Sequence, residues 1–135
     1  MSDQSKTIAR LVDGIARVSI DGRTVSVSRN NEYDRENICP VELISAALGS
    51  WIVLTISAVA DNKKIKLDGL EITISRNSIK KDQAGILFRV EVKIDSDLTK
   101  REKILLINSA RKCDVSKLLS GKSEFEYHLE DGVYN

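Results

Sequence analysis

The longest apolar stretch of the chain begins at Pro40 and runs to about Asn62. Proline suits the first turn of a helix, because its missing N–H would have no intrahelical partner there. Apolar residues occupy nearly every face of the predicted helix, which is typical of a buried helix rather than a surface one. At about 1.5 Å per residue it would be roughly 34 Å long. The fold is therefore predicted to form around this helix.

Small residues make part of this helix smooth, so that another backbone can approach it closely. They are Ala46, Ala47, Gly49, Ser50, Ser57 and Ala58. A helix of this length, with such a smooth apolar surface, has more surface to bury than one small sheet can cover.

Short β-strands stand in runs on both sides of the helix in the sequence. The predicted strands cover residues 8–12, 15–20, 24–28, 66–75, 85–94 and 123–129. Asp13-Gly14 and Asp21-Gly22 are hairpin turn signals, so the first three strands are predicted to form an antiparallel meander. A mostly polar loop is expected over residues 76–84.

Two further helices are predicted between the last two strands. Thr99 and Glu102 have the spacing of a capping box, which favours a helix that starts there and runs towards Cys113. A short helical turn follows Cys113 and ends at Gly121. The order β-β-β-α-β-β-α-α-β, with strands in runs, predicts an α+β fold rather than a parallel α/β sheet.

Size and charge limit the classes of partner. At 135 residues the chain is the size of one domain, and residues 1–135 are predicted to form a single one. The 21 Lys and Arg residues balance 20 Asp and Glu residues, so no large field favours nucleic acid or an acidic membrane surface. A small ligand or a protein partner fits this balance better.

The apolar segments also bear on localisation. Residues 1–6 lack the apolar run of a signal peptide. No later apolar stretch is expected to reach the roughly 20 residues that a membrane span needs. We expect a soluble cytoplasmic protein with no membrane partner. In a reducing cytosol a structural disulfide is not favoured, so Cys39 and Cys113 are both candidates for chemistry.

The two cysteines and the single histidine differ in their predicted roles. Cys113 follows Arg111-Lys112 and precedes a short helix, a setting that favours the reactive thiolate; the alternative is a small buried hydrophobe. Cys39 stands immediately before Pro40, near a helix N-terminus. His128 is expected to be exposed on a strand face, and no Cys and His spacing resembles a metal site. The sequence contains no phosphate loop and no dinucleotide-binding motif, so we expect no cofactor.

Residues 40–51, residues 110–119 and the strand start at Asp68-Gly69-Leu70 together resemble the OsmC/Ohr family. In the peroxidases of that family, a cysteine on the central helix attacks a hydroperoxide, and a second cysteine resolves the sulfenic acid. The resemblance implies an α+β OsmC-like fold with antiparallel sheets around a long buried central helix. It also implies an intertwined homodimer whose active sites lie at the subunit interface.

The chain departs from the peroxidase pattern at the reacting positions. Trp51 occupies the position of the attacking cysteine, and Val41 occupies that of the glutamate that follows the proline. Glu42 matches the P-x-E-L pattern of the non-Ohr branches, whereas Cys113 keeps the resolving position, with Asp114 in place of the common proline.

The activating arginine of the peroxidases has three possible matches here, namely Arg10, Arg17 and Arg23.

Two interpretations stay open for each remaining site residue. Trp51 either fills the former active-site pocket or offers a stacking surface to a planar ligand. Glu42 either interacts with the helix dipole or contacts a ligand or an arginine. With Val41 and Ser50, these residues would line an interfacial ligand pocket. Cys39 lies roughly 18 Å from position 51 along the helix, so within one subunit it cannot replace the missing cysteine. Across an antiparallel dimer interface it could face Cys113 of the partner subunit.

The resemblance and its departures together predict an OsmC-like protein linked to oxidative or osmotic stress. It would lack the standard two-cysteine hydroperoxide reductase activity, require no cofactor, and bind a small ligand. The alternative is a thiol-dependent peroxidase that uses Cys113 on a peroxide, alone or with Cys39 of the partner subunit. A third interpretation is a purely structural interaction module.

Overall fold

The structure is a computed structural model that describes residues 6–29, 36–80, 83–94, 97–112, 114–121, 123–129 and 132–133. The chain divides into two compact units, Met1–Ala47 and Leu48–Asn135. The boundary falls within the long central helix. The first unit contains the N-terminal sheet, and the second contains the hairpin, the later helices and the core described below.

The N-terminal sheet has three antiparallel strands in the order β1-β2-β3. They are β1 (Thr7–Val12), β2 (Ile15–Ile20) and β3 (Arg23–Val27). Asp13 and Gly14 have φ of 52° and 78°, and Asp21 and Gly22 have φ of 50° and 82°. Positive φ at both central residues gives two-residue turns whose twist matches that of the flanking strands. The predicted meander is confirmed.

The long helix α1 (Pro40–Asn62) has the bounds that the sequence predicted. Its fully buried residues, Leu48, Ile52, Ile56 and Ala60, recur every four positions and form one stripe. They lie in a single core cluster with Ile65 and Leu106. Residues 50, 54 and 58 are exposed and lie two positions from the stripe, roughly 200° around the helix. The apolar pattern predicted burial on nearly every face, whereas in this single chain α1 is buried along one stripe only.

The sequence argument against a membrane-spanning stretch was wrong about α1. By length and apolar composition, α1 is the one helix in the described part of the chain that could cross a membrane. The few polar residues within it, such as Ser45 and Thr55, do not lower its average hydropathy enough to exclude a span. A core helix can have the same length and composition, and in this chain one stripe of α1 packs into the core of the second unit.

A long antiparallel hairpin packs on α1. It consists of β4 (Leu70–Lys80) and β5 (Gln83–Ile94). On β4, Leu70, Ile72 and Ile74 pack against the core and alternate with exposed residues, as predicted. An ideal Cβ on Gly49 would lie 3.3 Å from Cγ1 of Ile74, so the absence of a side chain at Gly49 lets α1 and β4 approach closely.

The predicted bounds of this hairpin were wrong at both ends. Residues 76–84 were expected to form a polar loop, but Arg76 pairs with Phe88 and Asn77 with Leu87, so both strands continue. The polar side chains of this part of β4 misled the prediction, because exposed strand positions need not be apolar. At the other end, residues 66–69 are not strand, and β4 begins only at Leu70.

The C-terminal part contains helices α2 (Lys100–Arg111) and α3 (Asp114–Ser120). The predicted capping box is confirmed, since the Glu102 N–H donates to Thr99 Oγ1 at 3.1 Å and the Thr99 N–H donates to Glu102 Oε1 at 2.9 Å. The predicted strand over residues 123–129 is correct only for β6 (His128–Leu129), which pairs with an unpredicted β7 (Gly132–Val133). Residues 123–127 have no strand partner among the described residues, and their apolar alternation alone does not form a strand.

We predict that Leu106→Ala lowers the free energy of unfolding by about 2–5 kcal/mol, since Leu106 is fully buried and its removal leaves a cavity in the α1 cluster. Urea denaturation followed by circular dichroism measures this change. Leu118→Ala is the matched control, because Leu118 is 69% exposed. Equal losses in both variants would contradict the proposed position of the core.

Candidate functional site

The N-terminus of α1 is capped by Cys39 and Glu42. Cys39 is the N-cap residue: its carbonyl accepts from the Leu43 N–H at 3.2 Å, and its own N–H donates to Glu42 Oε1 at 2.9 Å. This is the side-chain half of a capping box, and a carboxylate in the first turn also interacts favourably with the helix dipole. Glu42 therefore has a structural role at the helix end.

Cys39 lies in a buried setting within the first unit. It is a free cysteine, only 7% exposed. The neighbouring backbone is fixed, because the Ser28 N–H donates to the Ile38 carbonyl at 3.0 Å just after β3. Reactive cysteines are usually partly exposed, so within one chain this position favours a structural role for the thiol.

Cys113, the other predicted catalytic candidate, lies outside the residues that the structure describes. Arg111 precedes it at the end of α2 and is exposed, and Asp114 follows it at the start of α3. The predicted reactivity of Cys113 stays a prediction.

Trp51 is half-buried and packs against the core cluster of the second unit, which includes Leu48 and Ile52. This contact fits the interpretation that Trp51 is a filling side chain. The adjacent Ser50 is exposed, and in the first unit Val41 is half-buried. The interfacial pocket predicted from these residues and Glu42 requires a second subunit, and it stays a prediction.

The three candidate arginines all lie exposed in the N-terminal sheet. Arg10 and Arg17 stand directly opposite each other on β1 and β2. Arg23 Nε donates to the Ile20 carbonyl at 3.1 Å, and its guanidinium lies 3.8 Å from Asp21. Like charges directly opposite in a sheet are destabilising, so the Arg10 and Arg17 pair would gain from a nearby anion. Which of the three corresponds to the peroxidase arginine stays open.

The second unit contains a cavity of about 590 Å³ that the sequence reasoning missed. Its walls come from α1, β5, α2 and α3, and the described lining residues are apolar except Arg111, Ser116 and Ser120. Cavities of this size and composition are typical of small-molecule sites. None of the predicted pocket residues on α1 lines it, although their neighbours Leu48 and Ile52 do. The one feature of the sequence that could have indicated this cavity is Arg111, an exposed charge at the end of an amphipathic helix.

His128 is exposed on β6, as predicted, with Nε2 2.7 Å from Glu126 Oε1. An exposed pair of this kind contributes little to stability. Within the described ranges, no three His, Cys, Asp or Glu side chains lie together as a metal site would require.

Comparison with known proteins agrees with this architecture. The family model described as OsmC-like protein matches residues 33–128. The structure is similar to that of an OsmC-like protein from Mycoplasma pneumoniae, with a TM-score of 0.73, 18% identity and 90% of each chain covered.

Two further solved structures have the same fold. One is a putative osmotic stress induced and detoxification response protein from Psychrobacter arcticus, with a TM-score of 0.71, 15% identity and coverage of 87% of this chain and 88% of that chain. The other is the organic hydroperoxide resistance protein OhrB of Bacillus subtilis, with a TM-score of 0.61, 20% identity and coverage of 88% and 92%. No curated protein matches the sequence. The predicted α+β, OsmC-like fold is confirmed.

We predict that Glu42→Ala lowers the free energy of unfolding by about 1 kcal/mol, because the Cys39 N–H loses its acceptor. Glu42→Gln keeps an acceptor oxygen and is expected to lose less. Thermal and urea denaturation measure both variants. If Glu42→Ala is as stable as the wild type, the capping role is wrong.

Proposed function

This chain belongs to the OsmC-like family, and we propose that it is a cytoplasmic stress-response member that binds a small apolar ligand rather than reducing hydroperoxides with two cysteines. Structural neighbours from Legionella pneumophila and Bacillus subtilis are described as organic hydroperoxide resistance proteins, which supports the link to oxidative stress. The cavity of about 590 Å³ in the second unit is the observation that carries the ligand-binding part of the proposal.

The reacting positions support the loss of the two-cysteine reaction. The indole of Trp51 cannot attack a hydroperoxide as a thiolate does, and Val41 offers no carboxylate. Residues that act as a unit lose most of their combined effect when one is removed, so two losses leave little of the reaction. Cys39 is buried and roughly 18 Å along α1 from position 51, which makes it a poor replacement within one chain.

The cavity is suited to a ligand because its floor is already formed. Leu48 and Ile52 are each 3% exposed, and Phe88 and Val92 are half-buried around them. A preformed apolar cavity can bind an apolar group without ordering new chain, which lowers the entropic cost of binding.

A homodimer is the second part of the proposal. Residues 50, 54 and 58 form an exposed face of α1, with Leu54 63% exposed between the small side chains of Ser50 and Ala58. Small residues beside a large one let a second helix approach closely and bury the leucine. A second copy of α1 packed on this face would also bring the predicted interfacial pocket together.

A thiol-dependent peroxidase is the alternative function, favoured by one observation. Arg111 and Ser116, which flank Cys113 in the sequence, both line the cavity. In that reaction the Cys113 thiolate would attack the peroxide oxygen and release an alcohol, and the resulting sulfenic acid would be reduced by an added dithiol.

We predict that the wild type consumes cumene hydroperoxide only at the uncatalysed rate, with dithiothreitol or dihydrolipoamide as reductant. The assay follows residual peroxide over time for the wild type, Cys113→Ser and Cys39→Ser. Turnover that Cys113→Ser abolishes would replace this proposal with the relocated thiol peroxidase. Turnover lost in both variants would indicate that the two cysteines act together.

We predict that Leu54→Glu shifts the protein from dimer to monomer, because a carboxylate at the centre of the helix contact would be buried without a partner. Size-exclusion chromatography with light scattering measures the mass across a range of concentrations. Leu118→Glu makes the same change on an exposed position of α3 and is expected to leave the dimer intact. A Leu54→Glu dimer as tight as the wild type would contradict packing through this face.

A further inference from the structure

We propose that the cavity of the second unit binds a fatty carboxylate, with the acyl chain on the apolar floor and the carboxylate paired with Arg111 at the rim. This inference rests on the ligand-binding function proposed above and names the chemical class of the ligand. Neither the OsmC-like family match nor the neighbours' descriptions assigns a ligand to this cavity.

The exposure of the lining residues distinguishes a floor from a rim. Leu48 and Ile52 on α1 are each 3% exposed. Ile86 and Val90 on β5 and Leu119 on α3 are 40%, 38% and 46% exposed. A ligand that enters with its apolar end first would meet the buried floor and would also cover the exposed apolar rim. Because binding would bury both the floor and the rim, the cavity favours a ligand with a long alkyl chain over a compact polar molecule.

The polar lining groups all come from one stretch of chain. Arg111 ends α2, and Ser116 and Ser120 lie on α3, whereas the described lining residues of α1 and β5 are all apolar. The cavity therefore has one apolar side and one side on which polar and apolar groups are mixed. A ligand with one apolar end and one polar end matches this division.

Charge decides which polar end fits. Among the described residues of the lining, Arg111 is the charged one, and none is Asp or Glu. Among the described residues, no carboxylate lies within salt-bridge distance of Arg111. The guanidinium can hold a carboxylate through two parallel hydrogen bonds, which makes an anionic head group the best partner.

Other ligand classes fit less well. An ammonium head group would be repelled by Arg111, and a second carboxylate on the chain would be placed against the apolar floor at a large desolvation cost. A neutral hydrocarbon would leave the guanidinium without a counter-charge. A cavity of about 590 Å³ lies within the range of about 300–1,000 Å³ typical of small-molecule sites.

Isothermal titration calorimetry of the full chain tests this inference with dodecanoate, octanoate, dodecanol and dodecylammonium below their micelle concentrations. We expect dodecanoate to bind at least tenfold more tightly than octanoate, because each buried methylene contributes to affinity. Dodecanol and dodecylammonium have the same alkyl chain and are expected to bind at least about fivefold more weakly than dodecanoate.

Variants separate the charge from the apolar wall. Arg111→Gln is expected to lower dodecanoate affinity about fivefold and to remove the preference over dodecanol, whereas Arg111→Lys keeps part of that preference. Lys112→Gln removes a neighbouring charge outside the lining and is expected to leave affinity unchanged. Ala110→Leu adds three carbon atoms to a side chain that lines the cavity and is expected to weaken all three twelve-carbon ligands equally.

Each unexpected result would contradict a different part of the proposal. Equal binding of dodecanoate, dodecanol and dodecylammonium would overturn the anion inference and leave the ligand-binding function standing. Binding unaffected by Arg111→Gln would do the same. No binding of any of the four compounds would overturn the inference, and so would hydrogen exchange showing that a second copy covers the rim in the dimer. Hydroperoxide turnover by the wild type overturns the proposed function in a separate assay.

Discussion

The packing of one stripe of α1 is the constraint on which the second unit depends. Leu48, Ile52, Ile56 and Ala60 recur at intervals of four, so their side chains form one continuous apolar line. Leu106 of α2 joins this line fully buried. The hairpin can lie close to the helix only because Gly49 has no side chain where Ile74 packs. A fold in which β4, β5 and α2 all rest on the same stripe tolerates little change there.

The other side of α1 raises a different physical problem. Leu54 is 63% exposed on a helix that is long and apolar enough to span a membrane. Exposed apolar area of this kind favours either a lipid surface or another protein. Glu42 caps the N-terminus of α1, and the core stripe packs one side of the helix against protein. Those features support our proposal that a second copy of the helix covers Leu54.

Local signals made much of the fold predictable, and long-range pairing accounts for the errors. Pro40 marked the start of α1, and Thr99 with Glu102 marked that of α2, because each satisfies or removes backbone N–H groups within a few residues. The length of the hairpin depends on partners such as Phe88 opposite Arg76, which no local pattern contains. The cavity was missed for the same reason, since its walls come from four elements that meet only after folding.

The candidate site could be predicted only in the part that a motif describes. The motif located Trp51, and the structure places this side chain against the core. Trp51 lies about 60° around α1 from Leu48 and about 100° from Ile52, so its position adjoins the floor of the cavity, although Trp51 is not among the described lining residues. Under our proposal Trp51 carries no peroxide chemistry, and ligand binding depends instead on the neighbouring Leu48 and Ile52, which form the floor of the cavity.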